Sequence, residues 1–171
     1  TKEMQNVEDK LFANDMPLEA LMEKVGIKLA DWILRNSFLE KREVIVLVGP
    51  GHNGGDGLVV AREIFLAGFE VSIWCPFPIS KPLTANHLAY AQWIGIPFRT
   101  KAPEPSENAL WIESLFGVGQ DRPLPTHISS LFTARQRINP GRLVSIDVPA
   151  GVCSDSGILF SNGAANALFT L

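Results

Sequence analysis

The sequence predicts an α/β fold, a parallel sheet with helices on both faces. Three observations carry that prediction. Apolar, β-branched runs alternate with helical patterns along most of the chain, which is the rhythm of successive βαβ units. The first such run, "EVIVLV", is nearly all apolar, as a strand buried on both faces should be. Two of the helical patterns end at glycines, Gly68 and Gly95, the residue favoured just past a helix C-terminus.

The elements follow in order. Lys2 to Ala13 reads as a short amphipathic helix, with Met4, Val7, Leu11 and Phe12 on one stripe. "NDMP" interrupts it, because Pro17 pushes Met16 out of helical geometry. A second helix starts at about Pro17, with proline in its first turn. Its stripe is Leu18, Leu21, Met22, Val25, Leu29, Trp32 and Ile33, and it ends near Ser37. After the strand "EVIVLV" come a helix over Gly54 to Ala67, the strand "EVSIWC", and a helix over Leu83 to Ile94. "KAPEPSE" is a proline-rich surface loop. The strand "ALWIESLFG", a helix over Ser129 to Ile138 and the strand "RLVSIDVP" complete the alternation. Residues 1–40 then form N-terminal helices and residues 41–171 the α/β core of one domain. "ANALFTL" reads as a strand just beginning. A parallel sheet would more comfortably end at a helix or a covered edge, so the chain is expected to be a fragment whose last strands lie beyond it.

Composition sets the outer limits. Of 171 residues, 46% are hydrophobic and 19% charged, which fits one domain with an ordinary core. A core of that size needs no metal or disulfide staple. The formal charge of −3 argues against nucleic acid, which selects a basic face. No apolar run is long enough to span a membrane, and no basic-then-apolar leader opens the chain. A lost targeting segment stays open, because the first residue is Thr1. Cys75 and Cys153 make no disulfide framework and are expected to be unpaired, buried side chains. A reducing compartment, the cytoplasm, is the simplest setting.

The chemistry concentrates after the first strand, in "VGPGHNGGDGLVVAR". Gly49, Gly51 and Gly54 form a G-x-G-x-x-G between strand and helix, the pattern that brings a pyrophosphate to a helix N-terminus. A nicotinamide oxidoreductase would add an acid at the end of the second strand to grip the ribose. That stretch reads "SIWCPFP" and has no carboxylate, which counts against hydride transfer. Within "HNGGDG", Asn53 offers a carbonyl oxygen to a hard cation. Asp56 either complements the first helical turn or serves a ligand. His52 is either a solvated loop residue or a catalyst.

Other strand ends are polar too. One carries Glu113 and then "FGVGQDRP", where Gly117 and Gly119 expose backbone N–H groups and Arg122 adds a fixed charge, together a cradle for phosphate. The reading of Glu113 as a solvated strand-end charge remains open. The last carries Asp147, which partial burial would suit for acid–base work, or which stabilises a turn. Ligands of open parallel sheets sit beyond the strands' carboxyl ends, so these residues should converge on one crevice.

"VGPGHNGGDGLVVAR", "LFGVGQDRP", "SIDVPAGVCSDSG" and "PLEALMEKVG" resemble segments of the NAD(P)H-hydrate epimerases, over essentially the whole chain. The resemblance implies a Rossmann-like three-layer α/β/α sandwich with a mostly parallel central sheet, a homodimer, and repair of NADH and NADPH hydrated at carbon 6 of the nicotinamide ring. The epimerase interconverts the R and S hydrates, and a dehydratase partner, fused on the C-terminal side or separate, restores the cofactor. By the same resemblance, His52, Asn53, Gly54, Gly55 and Asp56 contact substrate. Gly117, Val118, Gly119, Gln120, Asp121, Arg122 and Pro123 wrap its phosphates, and Asp147 is the acid–base residue. A K⁺ ion would be held at the positions of Asn53, Glu113 and Ala150. Two of these depart from the family pattern, which has aspartate in place of Glu113 and serine in place of Ala150, so K⁺ binding is expected to be weakened. Relatives of the fold also act as non-catalytic scaffolds, one dimerising an mRNA-decapping enhancer and a mammalian one binding an apolipoprotein, which gives a second reading.

Overall fold

The computed structural model describes residues 2–36, 43–160 and 163–171. Two helices, α1 (Lys2–Ala13) and α2 (Leu18–Arg35), precede the alternation β1 (Val44–Val48), α3 (His52–Leu66), β2 (Val71–Trp74), α4 (Pro82–Trp93), β3 (Phe98–Arg99), β4 (Leu110–Ser114), α5 (Thr126–Ile138), β5 (Leu143–Ser145) and β6 (Phe169–Thr170). The six strands form one sheet in the order β3-β2-β1-β4-β5-β6. Every ladder is parallel. From β1 the chain steps outward through β2 to β3, then crosses back to β4 on the other side. Strand order therefore reverses between β1 and β4, and the crevice beyond their carboxyl ends is where such sheets bind ligands.

The two-residue period of β1 explains the layers. Val44, Val46 and Val48 face a core with Ile33 of α2, Leu58 and Ile64 of α3, and Ala91 of α4. Ile45 and Leu47 face the opposite core, with Trp111 and with Ile128 and Phe132 of α5. Alternate side chains point to opposite faces, so a strand buried on both sides must be apolar throughout. Each such fully buried side chain contributes roughly 1.5–3 kcal/mol.

Several expectations need correction. The third helix begins at His52 and not at Gly54, so "HNGGDG" forms the first turns of α3 and is not a loop. The helix α5 begins at Thr126, three residues early. The edge strand β3 has only two residues, too few to show a period in sequence. The buried positions of α2 are Met22, Gly26, Ala30 and Ile33, while Val25 is exposed. The helix turns its small residues inward because α3 lies so close: a β-carbon on Gly26 would stand 2.5 Å from Val59 Cβ. Val7 and Leu11 of α1 are also exposed. The second helix ends at Arg35 with Asn36 as its C-cap, two residues before Ser37. The side chains of Met4 and Phe12 lie outside the described residues. The incipient strand in "ANALFTL" is β6, paired with β5 through Val144 and Ser145. Cys75 and Cys153 are free, each only partly buried. No helix among the described residues is long and apolar enough to cross a membrane.

Candidate active site

The glycines that open α3 serve close packing. A β-carbon on Gly54 would run into the Gly49 carbonyl, and one on Gly55 would stand 2.6 Å from the Met22 sulfur. Removing these side chains lets the helix N-terminus sit directly on the end of β1. That seats His52, Asn53 and Asp56 at the mouth of the crevice. Thr84 of α4 secures the turn by donating to the Gly51 carbonyl at 2.9 Å.

A cavity of about 1500 Å³ opens there. His52, Asn53 and Asp56 line it from α3, residues 117–123 from the loop after β4, and Asp147 from the turn after β5. Gly54 and Gly55 are on the buried side of α3 and do not line the cavity. Glu113 and Ala150, both fully buried, do not line it either. The sequence reading did not single out the apolar part of the wall, which includes Leu21, Leu29, Phe77 and Phe116, or the cation Lys81. The stretch "SIWCPFP" was informative only for what it lacks, and a helix stripe such as Leu21 and Leu29 reads as core.

Asn53 knits three strand ends together. Its amide donates to the carbonyls of Phe116 (2.8 Å) and Ile146 (3.2 Å), just beyond β4 and β5. Its Oδ1 is buried with no hydrogen-bond partner. Beside it, Asp147 adopts the left-handed backbone region, φ 64°, which aspartate tolerates better than most residues. Its Oδ2 accepts the Val118 N–H at 2.9 Å. A β-carbon on Gly117 would collide with the same oxygen, so only glycine lets that loop close over the carboxylate. Half-burial raises the pKa of Asp147, with the Val118 N–H pulling the other way.

Glu113 is no solvated strand-end charge, being 0% exposed. Its Oε1 accepts the Ala150 N–H at 2.9 Å and its Oε2 the Leu115 N–H at 3.2 Å. Desolvation pushes its pKa up to about 7 against the pull of the Ala150 N–H, the Ser145 hydroxyl and the Leu115 N–H, and the nearby Asp147 charge adds to the rise.

The fit to a cation is partial. Asn53 Oδ1 is an unclaimed oxygen facing no donor. Each Glu113 oxygen accepts one main-chain N–H, and the Ser145 hydroxyl also acts on this carboxylate. Ala150 offers no side-chain oxygen, and its carbonyl accepts the Ala165 N–H at 2.7 Å. Among the described residues no group of three or more His, Cys, Asp or Glu side chains could hold a metal ion. That donor set suits a weakly held, oxygen-seeking monovalent ion better than a transition metal.

The parallel strand order and the cavity at its switch point define a Rossmann-like α/β domain. Residues 18–171 match the family described as YjeF-related protein N-terminus. The chain belongs to that family. It is 43% identical over 160 residues to the bifunctional NAD(P)H-hydrate repair enzyme Nnr of Thermosynechococcus vestitus, covering 92% of this chain and 31% of that protein. It is 30% identical over 162 residues to the NAD(P)H-hydrate epimerase of Lentilactobacillus buchneri, covering 91% of this chain and 74% of that one. The crystal structure of yeast ynu0 superposes with a TM-score of 0.84 at 24% identity, covering 99% of this chain and 76% of that one, which supports the fold. The chain spans about a third of the length of the bifunctional relatives it matches.

Proposed function

We propose that this domain is an epimerase for hydrated NADH and NADPH. The observation that carries the reading is the placement of Asn53 and Asp147, from different strand ends, on one cavity. Carbon 6 of the damaged ring bears a hydroxyl and adjoins the ring nitrogen, so it behaves as a hemiaminal. Inversion proceeds by loss and return of water or by ring opening and reclosure. Both routes need a proton moved at that hydroxyl, and one positioned carboxyl group supplies roughly 10²–10⁴-fold. Asp147 is that group. Its raised pKa favours the protonated form needed to release the hydroxyl as water, and the returning water gives its proton back to Asp147.

Arg122 and the backbone N–H groups of Gly117 and Gly119 hold the dinucleotide phosphates. His52 and Asp56 sit where they can contact the substrate at the start of α3. A K⁺ ion would be held by Asn53 Oδ1 and Glu113, less firmly than in relatives with a hydroxyl in place of the Ala150 methyl. Bound, it would supply positive charge that orders the three strand-end loops. The domain works as a homodimer in the cytoplasm, beside a dehydratase fused to it or separate.

A direct test is to mix the purified protein with the S hydrate and follow the R form by chromatography. Equilibration much faster than in buffer supports the reading. Binding of the hydrate without equilibration would favour a non-catalytic scaffold, a reading that draws on the missing hydroxyl at Ala150.

A further inference from the structure

The resemblance places Gln120 among residues that wrap phosphate, yet its amide faces into the protein. Its Oε1 accepts the Gly151 N–H at 2.6 Å. Its Nε2 faces the carbonyls of Pro149 (3.3 Å) and Gly117 (3.4 Å). A phosphate offers only acceptor oxygens, and both N–H groups of this amide are already directed at carbonyls.

The contacts to Gly151 and Pro149 join the loop after β4 to the turn after β5, while the contact to Gly117 stays within the loop. That turn is bracketed by two left-handed residues, Asp147 (φ 64°) and Gly151 (φ 92°). Aspartate tolerates that region better than most residues, and here hydrogen bonds from the neighbouring loop hold the turn. Gln120 grips the far end of the turn, at Gly151, while the near end is held by the Val118 N–H, which meets Asp147. Past the turn, the Ser154 hydroxyl donates to the Val118 carbonyl at 2.7 Å.

We propose that Gln120 is a positioning residue: it locks the 147–151 turn against the 117–120 loop and so fixes the aim of the Asp147 carboxylate, without touching the substrate. The consequence for catalysis rests on the epimerase reading, while the lock itself does not.

The test is Gln120→Met, which keeps length and removes the hydrogen bonds. In the epimerase assay, kcat should fall about tenfold with KM nearly unchanged, the size expected when roughly one hydrogen bond's worth of transition-state alignment is lost. A tenfold rise in KM with kcat intact would mean a phosphate ligand and would overturn the proposal, as would no change in either constant. Amide hydrogen exchange is the second readout. In the wild-type protein the Gly151 N–H should be protected, and in Gln120→Met its exchange and that of Val118 should accelerate at least tenfold. An unprotected Gly151 N–H in the wild type removes the lock whatever the variant does. A wild-type protein with no epimerase activity but a protected Gly151 would sink the functional reading and leave the lock standing.

Discussion

The Asp147 carboxylate accepts the main-chain N–H of Val118 at 2.9 Å, so the turn after one strand is fastened to the loop after its neighbour at the candidate acid–base group. The bond has two effects. It fixes the side chain's direction, and it holds the pKa below the level that burial alone would set. The same loop can approach so closely only because Gly117 has no β-carbon.

Gly54→Ala should destabilise the fold. The new methyl would meet the Gly49 carbonyl, a backbone atom that cannot step aside. Overpacking of this kind costs about 1–3 kcal/mol. Urea unfolding should show that loss as a lower midpoint with an unchanged slope. An unchanged midpoint would mean that α3 does not rest on the end of β1 as described.

Glu113 should make stability depend on pH. Its pKa rises from 4.5 to about 7 on folding, so between those values the folded state holds a proton that the unfolded state has lost. Stability from this group is fully present below about pH 4.5 and is lost as the pH rises through about 7. Glu113→Gln removes the titration. Relative to that variant, the wild type should lose stability across this window in pH-dependent melts. Parallel pH profiles would show that Glu113 is not desolvated.

Ala150→Ser restores the hydroxyl that the resemblance associates with K⁺. The variant should melt at a higher temperature in KCl than in NaCl at equal ionic strength, by a margin larger than the wild type shows. An ion at ten times its dissociation constant adds about 1.4 kcal/mol. Equal margins for the two proteins would argue that the side chain at position 150 does not reach a cation, and no margin in either would argue that no cation sits between Asn53 and Glu113.

Much of this was legible in the sequence, for identifiable reasons. β1 buries both faces, so its run of Val, Ile and Leu announced a central parallel strand. Gly68 and Gly95 lie at positive φ, and their presence marked the ends of α3 and α4. What misled was glycine's double meaning. In "HNGGDG" the glycines suggested a loop, while Gly54 and Gly55 are there because backbone and Met22 press on a helix. The burial of Glu113 was hidden as well, since a carboxylate at a strand end is ordinarily solvated, and nothing local reveals that the N–H groups of Ala150 and Leu115 will enclose it. Gln120 was grouped with its loop neighbours, because sequence does not say which way a side chain turns.

The most direct measurement is the activity of Asp147→Asn. Asparagine accepts the left-handed backbone at this site and retains an oxygen for the Val118 N–H, so the variant should fold and melt like the wild type. It has no proton to give, and conversion of the S hydrate to the R hydrate should fall by roughly 10²-fold or more. A well-folded Asp147→Asn protein that equilibrates the hydrates at the wild-type rate would contradict the assignment of acid–base chemistry to this carboxylate.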